Sequence, residues 1–183
     1  MVFEMKCAAV LLMLLPTIPM AQKLAAVEAH THGVGRVAIS MDSNEFAVIL
    51  AAPGMDVVGF EHSAENDEER AEVAAAISDF SEPLRLFNLP SEAGCETASA
   101  NVALVGVGFG QVDDKTENHT REHAEFQADY VLECEEIDLV TSIRFTYFEL
   151  FPDAQKLDIS LISVEGAFSY TVYRDQPVLT LQD

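Results

Sequence analysis

Hydrophobic and polar residues alternate along much of this chain, a pattern typical of strands with one buried face. Alternation runs through residues 35–41 and resumes over 46–50 after the turn residues Asp42-Ser43-Asn44, which predicts a hairpin. It returns from Phe126 to Cys134, with apolar residues on one face and polar residues on the other. Further strands are predicted from Gly94 to about residue 109, over 143–145, and over 157–164 and 168–173, the last two joined by a Glu165-Gly166 turn.

One segment has helical periodicity instead. Apolar residues recur at helical spacing between Val73 and Phe80, acidic residues crowd the turn before them, and Pro83 ends the segment. Its candidate N-caps are Ser63, Asn66 and Asp67. We expect a loop from Asp56 to His62, a short helical turn over 84–87 and an aromatic turn over 147–152. The fold class predicted is α+β, an antiparallel β-sheet with one main helix packed on a face.

The N-terminal segment has the pattern of a secretory signal. Lys6 precedes a continuous apolar run over residues 8–15, Pro16 breaks the run, and small or polar residues follow. We assign residues 1–21 to a signal peptide, with a second cleavage option at residue 29, and residues 22–183 to a single domain. The run is shorter than the roughly 20 residues of a membrane span. We therefore expect a periplasmic protein without stable membrane insertion.

The cysteine count agrees with export. Removal of the signal removes Cys7 and leaves Cys95 and Cys134, which favours one disulfide in an oxidising periplasm. Closing a loop of about 40 residues contributes roughly 4 kcal/mol in the chain-entropy model. Two unpaired buried cysteines are the alternative. A zinc site built on these two cysteines is the least supported interpretation, because neither has another cysteine or a histidine close by in sequence.

The formal net charge is -21, with 31 acidic against 10 basic residues. This bias argues against nucleic acid and anionic lipid as partners, and it favours cations or basic surfaces. A requirement for solubility is by itself a sufficient explanation of the acidic charge. Residues 110–122 form an acidic stretch with almost no apolar residue, which predicts an exposed loop.

The histidines supply the candidate chemistry. His30 and His32, like His123 and Glu125, are two residues apart, a spacing that places side chains on one face of a strand. His119 lies four residues before His123. Imidazoles and carboxylates are zinc ligands, although each lone histidine is also explained as a surface residue without a metal. The candidate metal ligands are His30, His32, His62, His119, His123 and Glu125.

Catalytic motifs are missing from the sequence. It contains no Gly-x-Ser-x-Gly, no His-Glu-x-x-His and no phosphate-binding loop. We therefore do not expect an enzyme. A zinc hydrolase is a weaker alternative, with Glu61 or Glu125 as the positioned carboxylate.

The chain carries a further set of short motifs. They are the His-x-His-Gly segment at 29–33, Val58-Gly59-Phe60-Glu61-His62, Leu86-Phe87, Ala93-Gly94-Cys95, His123-Ala124-Glu125-Phe126, Asp129-Tyr130, Cys134, Leu150-Phe151-Pro152 and Leu157-Asp158. Together these motifs resemble the ZrgA-type zinc-uptake proteins of Gram-negative bacteria. The resemblance spans nearly the whole mature chain, and Gly-Phe-Glu-His with the His-x-Glu-Phe strand is its most specific part.

The resemblance implies a periplasmic protein that captures Zn²⁺ and supports its uptake, with an ABC-type metal transporter as the partner. Such proteins usually carry a histidine-rich loop before the His-x-Glu-Phe strand. Here that loop holds only His119 and His123, and Gln127 stands where another histidine is expected. The folded positions are thus better candidates than the loop, and zinc affinity is expected to be moderate to low. The alternative from another class is a metal-independent exported interaction domain.

Overall fold

The computed structural model describes residues 31–106 and 124–181, which form strands and helices in mixed order. The strands are β1 (Val34–Asp42), β2 (Glu45–Pro53), β3 (Phe87–Asn88), β4 (Cys95–Val105), β5 (Glu125–Cys134), β6 (Ser142–Phe145), β7 (Lys156–Ser163), β8 (Gly166–Tyr173) and β9 (Val178–Thr180). The helices are α1 (Gly54–Val58), α2 (Asp67–Phe80), α3 (Pro83–Leu86) and α4 (Tyr147–Leu150), with single 3-10 turns at Ser91–Ala93 and Ile137–Leu139. Within the described ranges, no helix is long and apolar enough to cross a membrane.

Six strands form the main sheet, in the order β4-β5-β2-β1-β7-β8. β1 and β7 are parallel, while the other neighbouring pairs in this sheet are antiparallel. β2 pairs with β5 in continuous register from Glu45↔Glu133 to Pro53↔Glu125. The start of β5 therefore lies beside the end of β2, where α1 begins.

One face of this sheet is buried, as the alternating pattern predicts. The buried side chains of its central strands are Val37, Ile39, Phe46, Val48, Leu50, Phe126, Ala128, Tyr130, Leu132, Leu157, Ile159 and Leu161. Fully burying one large apolar side chain contributes roughly 1.5–3 kcal/mol. This face therefore supplies much of the driving force for folding, and it has to be covered.

Helix α2 is anchored at both ends. The Asn66 side chain accepts a hydrogen bond from the Glu69 backbone N–H at 2.9 Å, which caps its N-terminus. At the other end, the buried Tyr130 hydroxyl of β5 donates to the Phe80 carbonyl oxygen at 2.7 Å. The helix buries Val73, Ala76 and Phe80.

The remaining cover comes from the C-terminal part of the chain. A second, three-stranded sheet has the order β3-β6-β9. Next to it, the Arg174 guanidinium donates to the carbonyl oxygens of Phe148, Phe151 and Ala154. Hydrogen bonds from a charged donor are stronger than neutral ones, so Arg174 holds the aromatic segment after β6 in place.

The predicted disulfide is present. Cys95 and Cys134 are bonded to each other and sit directly opposite in the register of β4 and β5. The bond joins the first residue of β4 to the last residue of β5. It therefore fixes these strands at the end of the sheet that also carries the β1–β2 turn, where the Cys134 N–H donates to the Asn44 carbonyl.

The α+β class, the first hairpin and the main helix are confirmed, and the structure corrects three local predictions. The predicted loop over 56–62 is wrong at its start, because α1 continues there to Val58 and is capped by Gly59 (φ 80°). A helix of one turn is too short to display periodicity. The second hairpin turns at Val164 and Glu165, since Ser163 pairs with Gly166. The predicted strand to residue 109 ends at Val105, and the whole acidic stretch 110–122 lies outside the described residues, as does the signal segment.

The disulfide gives a stability prediction. Replacing both Cys95 and Cys134 by alanine is expected to lower the free energy of unfolding by about 2–4 kcal/mol, because the unfolded chain regains the freedom of a long loop. Urea denaturation of the variant and of the oxidised protein measures the difference. Labelling the denatured, unreduced protein should find no thiol at either position. Reactive thiols there, or equal denaturation midpoints, would contradict the prediction.

Candidate metal site

His32 and Glu61 form a close pair at the start of β1. The His32 Nε2 lies 3.1 Å from Glu61 Oε1, and the His32 side chain is 52% exposed while that of Glu61 is 12% exposed. His32 comes two residues before β1, and Glu61 lies in the segment that follows α1. Imidazole and carboxylate are both zinc ligands, and a carboxylate can also orient a ligating histidine. The pair can therefore serve either in direct coordination or as ligand and support.

A buried carboxylate fixes the backbone next to His32. The Gly33 N–H donates to both oxygens of Asp56, at 2.7 and 2.8 Å, and Asp56 in α1 is only 2% exposed. Burying a charged group is unfavourable unless it is hydrogen-bonded. The contact ties the segment before β1 to α1, and thereby sets where His32 stands relative to Glu61.

Gly54 allows the start of β5 to pack against α1 and the segment that follows it. Its N–H donates to the Ala124 carbonyl at 2.7 Å. A Cβ at this position would lie 2.8 Å from the Phe60 carbonyl oxygen and 2.9 Å from the Ala124 Cβ, closer than real contacts allow. Glycine is therefore required for α1, the segment after it and the start of β5 to approach so closely.

Tyr147 lies beneath this region. Its hydroxyl is fully buried, and it has no hydrogen-bond partner within the described residues. Burial raises the pKa of Tyr147, and the nearby negative charge of Asp56 raises it further. The side chain is thus a neutral phenol at any physiological pH.

Glu125 is 5% exposed, and the side chains of Arg36 and Gln127 are among its partners. Arg36 Nη2 donates to its Oε2 at 2.8 Å, and Gln127 Nε2 donates to its Oε1 at 2.8 Å. Gln127, which replaces an expected histidine, thus orients this carboxylate. Because strand residues alternate between faces, Glu125 lies on the face opposite Phe126. Its predicted role as a metal ligand stays a prediction.

His62 is exposed, and its contacts are with other residues than the Glu61 contacted by His32. Its Nδ1 is 3.0 Å from the Ser63 carbonyl oxygen and 3.9 Å from Glu69 Oε2, and its ring stacks on Phe60 at 4.9 Å. The Ser63 carbonyl is the main reason why the pKa of His62 lies above its ordinary value; desolvation opposes this shift, and Glu69 and Glu65 add to it. A tautomer that donates from Nδ1 leaves Nε2 as the coordinating nitrogen.

In the part of the chain that the structure describes, no group of three or more His, Cys, Asp or Glu side chains is arranged to hold a metal ion. Three predicted ligands, His30, His119 and His123, lie outside that part. The described residues thus contribute the His32–Glu61 pair and its supports. Asp56 is a site residue that the sequence pattern does not indicate; its only sequence signal is a single carboxylate among apolar neighbours directly after Pro53-Gly54.

These features describe an acidic α+β protein that presents an imidazole–carboxylate pair at one end of its sheet. A family model described as ZrgA family zinc uptake protein matches residues 29–181. The chain belongs to this family, which confirms the resemblance seen in its motifs and supports a role in zinc uptake. No curated protein matches the sequence at a significant level.

The Asp56 contact can be tested by substitution. Asp56→Ala is expected to lower the free energy of unfolding by about 1–3 kcal/mol, because the Gly33 N–H loses its acceptor while staying buried. Asp56→Asn is the matched control, since its side-chain oxygen can still accept this bond and its volume is nearly the same. Urea denaturation should show a smaller loss for asparagine. Equal losses in the two variants would mean that the hydrogen bond to Gly33 is not the source of the stability.

Proposed function

We propose that this protein captures Zn²⁺ in the periplasm and supports its uptake through a membrane transporter, with no catalytic role of its own. Membership of the zinc-uptake family supports zinc as the captured ion. The single observation that carries the proposal is the His32–Glu61 pair, with 3.1 Å between Nε2 and Oε1. It joins a nitrogen and an oxygen donor of the types that zinc prefers.

Chain connectivity supports a larger ligand set around this pair. Three contacts join the segment at Gly33, the region of α1 and the start of β5: Gly33 to Asp56, Gly54 to Ala124, and the close approach of Gly54 to Phe60. His30 precedes His32 by two residues, and His123 is covalently bonded to Ala124. We infer that these two histidines complete the coordination of the captured ion.

The charge of the chain supports capture of a cation. A net charge of -21 raises the local concentration of cations by long-range attraction, whereas imidazole nitrogens supply the preference for zinc over calcium, which takes oxygen ligands. The Cys95–Cys134 disulfide supports export, because such bonds persist in oxidising compartments. Both features fit a periplasmic protein that collects zinc for a transporter.

A metal-independent interaction domain is the second candidate. The observation that favours it is the contact of Glu125 with Arg36 and Gln127, which supplies this buried carboxylate with side-chain hydrogen-bond donors. On this alternative, a chelator leaves partner binding unchanged. The titration below separates the two functions.

Zinc titration of the mature protein tests the proposal. The protein is expected to bind zinc, and His32→Ala should weaken binding by at least about tenfold, in line with the loss of a ligand or of its support. His30→Ala and His123→Ala should act in the same direction. Glu82→Gln, which removes an exposed carboxylate after α2, is the matched control and should leave the affinity unchanged. A protein that stays metal-free in excess zinc by calorimetry and metal analysis would overturn the proposal.

Acid should weaken zinc binding. Imidazoles must be neutral to coordinate, and the ordinary histidine pKa is about 6.5, so the affinity should fall as the pH drops below about 6. The raised pKa of His62 means that any contribution from this residue is lost at a higher pH than that of a histidine with the ordinary pKa. Titrations at about pH 7.5 and about pH 5.5, each at low and high salt, measure the effect.

The same titrations, repeated with calcium, test the alternative that the acidic surface alone attracts the ion. If the acidic surface alone attracts the ion, binding should survive mild acid, fade with salt and differ little between zinc and calcium. Unchanged zinc affinity between the two pH values would falsify a histidine site.

A further inference from the structure

Strand β8 is the outermost strand of the main sheet, and within the described residues it pairs with β7 alone apart from one bridge between its last residue, Tyr173, and Gln176. Its sequence, Gly166–Tyr173, contains no charged residue and no proline, and its register with β7 has no bulge. Charges, prolines and bulges are the usual devices that protect an edge strand from pairing. The opposite edge, β4, has two of them: Glu96 and a register shift between Thr97 and Ser99.

An apolar groove of about 540 Å³ lies beside β8. Phe168 and Tyr170, whose rings stack at 6.3 Å, form one side of it, and Leu161, Val140 and Leu181 contribute further lining. Phe168 is 38% exposed although it lies on the same face as the buried core. The side chains of a strand added to β8 would fall alternately on this face and reach the groove.

Acidic side chains surround the groove and indicate what it accepts. Asp42, Asp138 and Glu165 take part in its lining, and the whole chain carries a net charge of -21. A second copy of this chain would bring like charges together. In a segment whose apolar side chains enter the groove, the basic residues between them lie on the opposite face of the strand, where the negative charge of the chain attracts them over a longer range.

We propose that β8 binds an extended segment of a partner protein that alternates apolar and basic residues. The segment adds to the sheet as a seventh strand, and its apolar side chains enter the groove. This surface lies at the end of β1 remote from His32, so it is independent of zinc capture.

The hairpin defines which backbone groups are available. Ser163 and Gly166 flank a two-residue turn, and the pair that closes such a turn is hydrogen-bonded. Bonded and non-bonded pairs then alternate along an antiparallel ladder. Ala167, Ser169 and Thr171 therefore direct their N–H and C=O groups away from β7, toward an added strand.

A labelled peptide tests the proposal on the intact mature protein. The probe is a fluorescein-labelled ten-residue peptide of alternating valine and lysine, with binding followed by fluorescence anisotropy at about 0.15 M salt. Two further peptides carry N-methyl groups on either the valine or the lysine amides. Only one set of amides faces β8 in an added strand, so one methylated peptide should lose at least about tenfold in affinity while the other binds nearly as the parent.

Variants of the protein give the matching test. Ser169→Pro removes an outward N–H and should weaken binding of the parent peptide at least about tenfold, whereas Ser169→Ala keeps the N–H and should not. If the proline variant does not fold, the two methylated peptides still test the proposal on the unaltered protein. Equal binding of both methylated peptides, or equal binding of a valine–glutamate peptide, would overturn the proposal. Sedimentation that shows a dimer abolished by Ser169→Pro would also overturn it, by assigning the edge to a second copy.

Discussion

Phe80 joins the parts of the molecule that cover the buried face of the large sheet. Its ring packs on Phe126 of β5 at 5.4 Å and on Phe151 at 5.1 Å, and meets the edge of Tyr147 at 6.4 Å. Its carbonyl accepts the Tyr130 hydroxyl. The last residue of α2, the centre of the sheet and the aromatic segment after β6 thus meet at one point. Because an apolar sheet face is unstable in water, the rest of the fold depends on this closure.

The closure also supports the candidate metal site. Tyr147, part of the same aromatic cluster, lies below Gly35, where an added Cβ would stand 3.8 Å from its hydroxyl, and its pKa responds to the charge of Asp56. Asp56 in turn holds Gly33, next to His32. The exposed imidazole is therefore connected to the core through a short series of buried contacts. Support of this kind holds a side chain in one geometry, which the proposed metal site requires.

The two proposed binding surfaces lie at opposite ends of the main sheet. His32, α1 and the first residues of β5 lie at one end, while the disulfide, the β1–β2 turn and the groove beside β8 lie at the other. β1 has nine residues, so the ends are about 30 Å apart. With this separation, the proposed cation site and the proposed partner surface do not overlap, and the negative charge of the chain favours both ligands.

Much of this architecture follows from the sequence alone. Alternation predicted the long strands, helical spacing predicted α2 with three candidate caps of which Asn66 is the one used, and the two remaining cysteines predicted the disulfide. These signals depend only on neighbouring residues or on counting. The histidine spacing and the motifs indicated zinc. Tertiary structure alone decided the parallel pairing of β1 with β7, which brings together residues more than 100 positions apart in sequence, as in Val37↔Ile159. It also decided the second sheet, the burial of Asp56, and the pairing of His32 with Glu61. Such contacts depend on the path of the whole chain, and no local pattern of residue types encodes them.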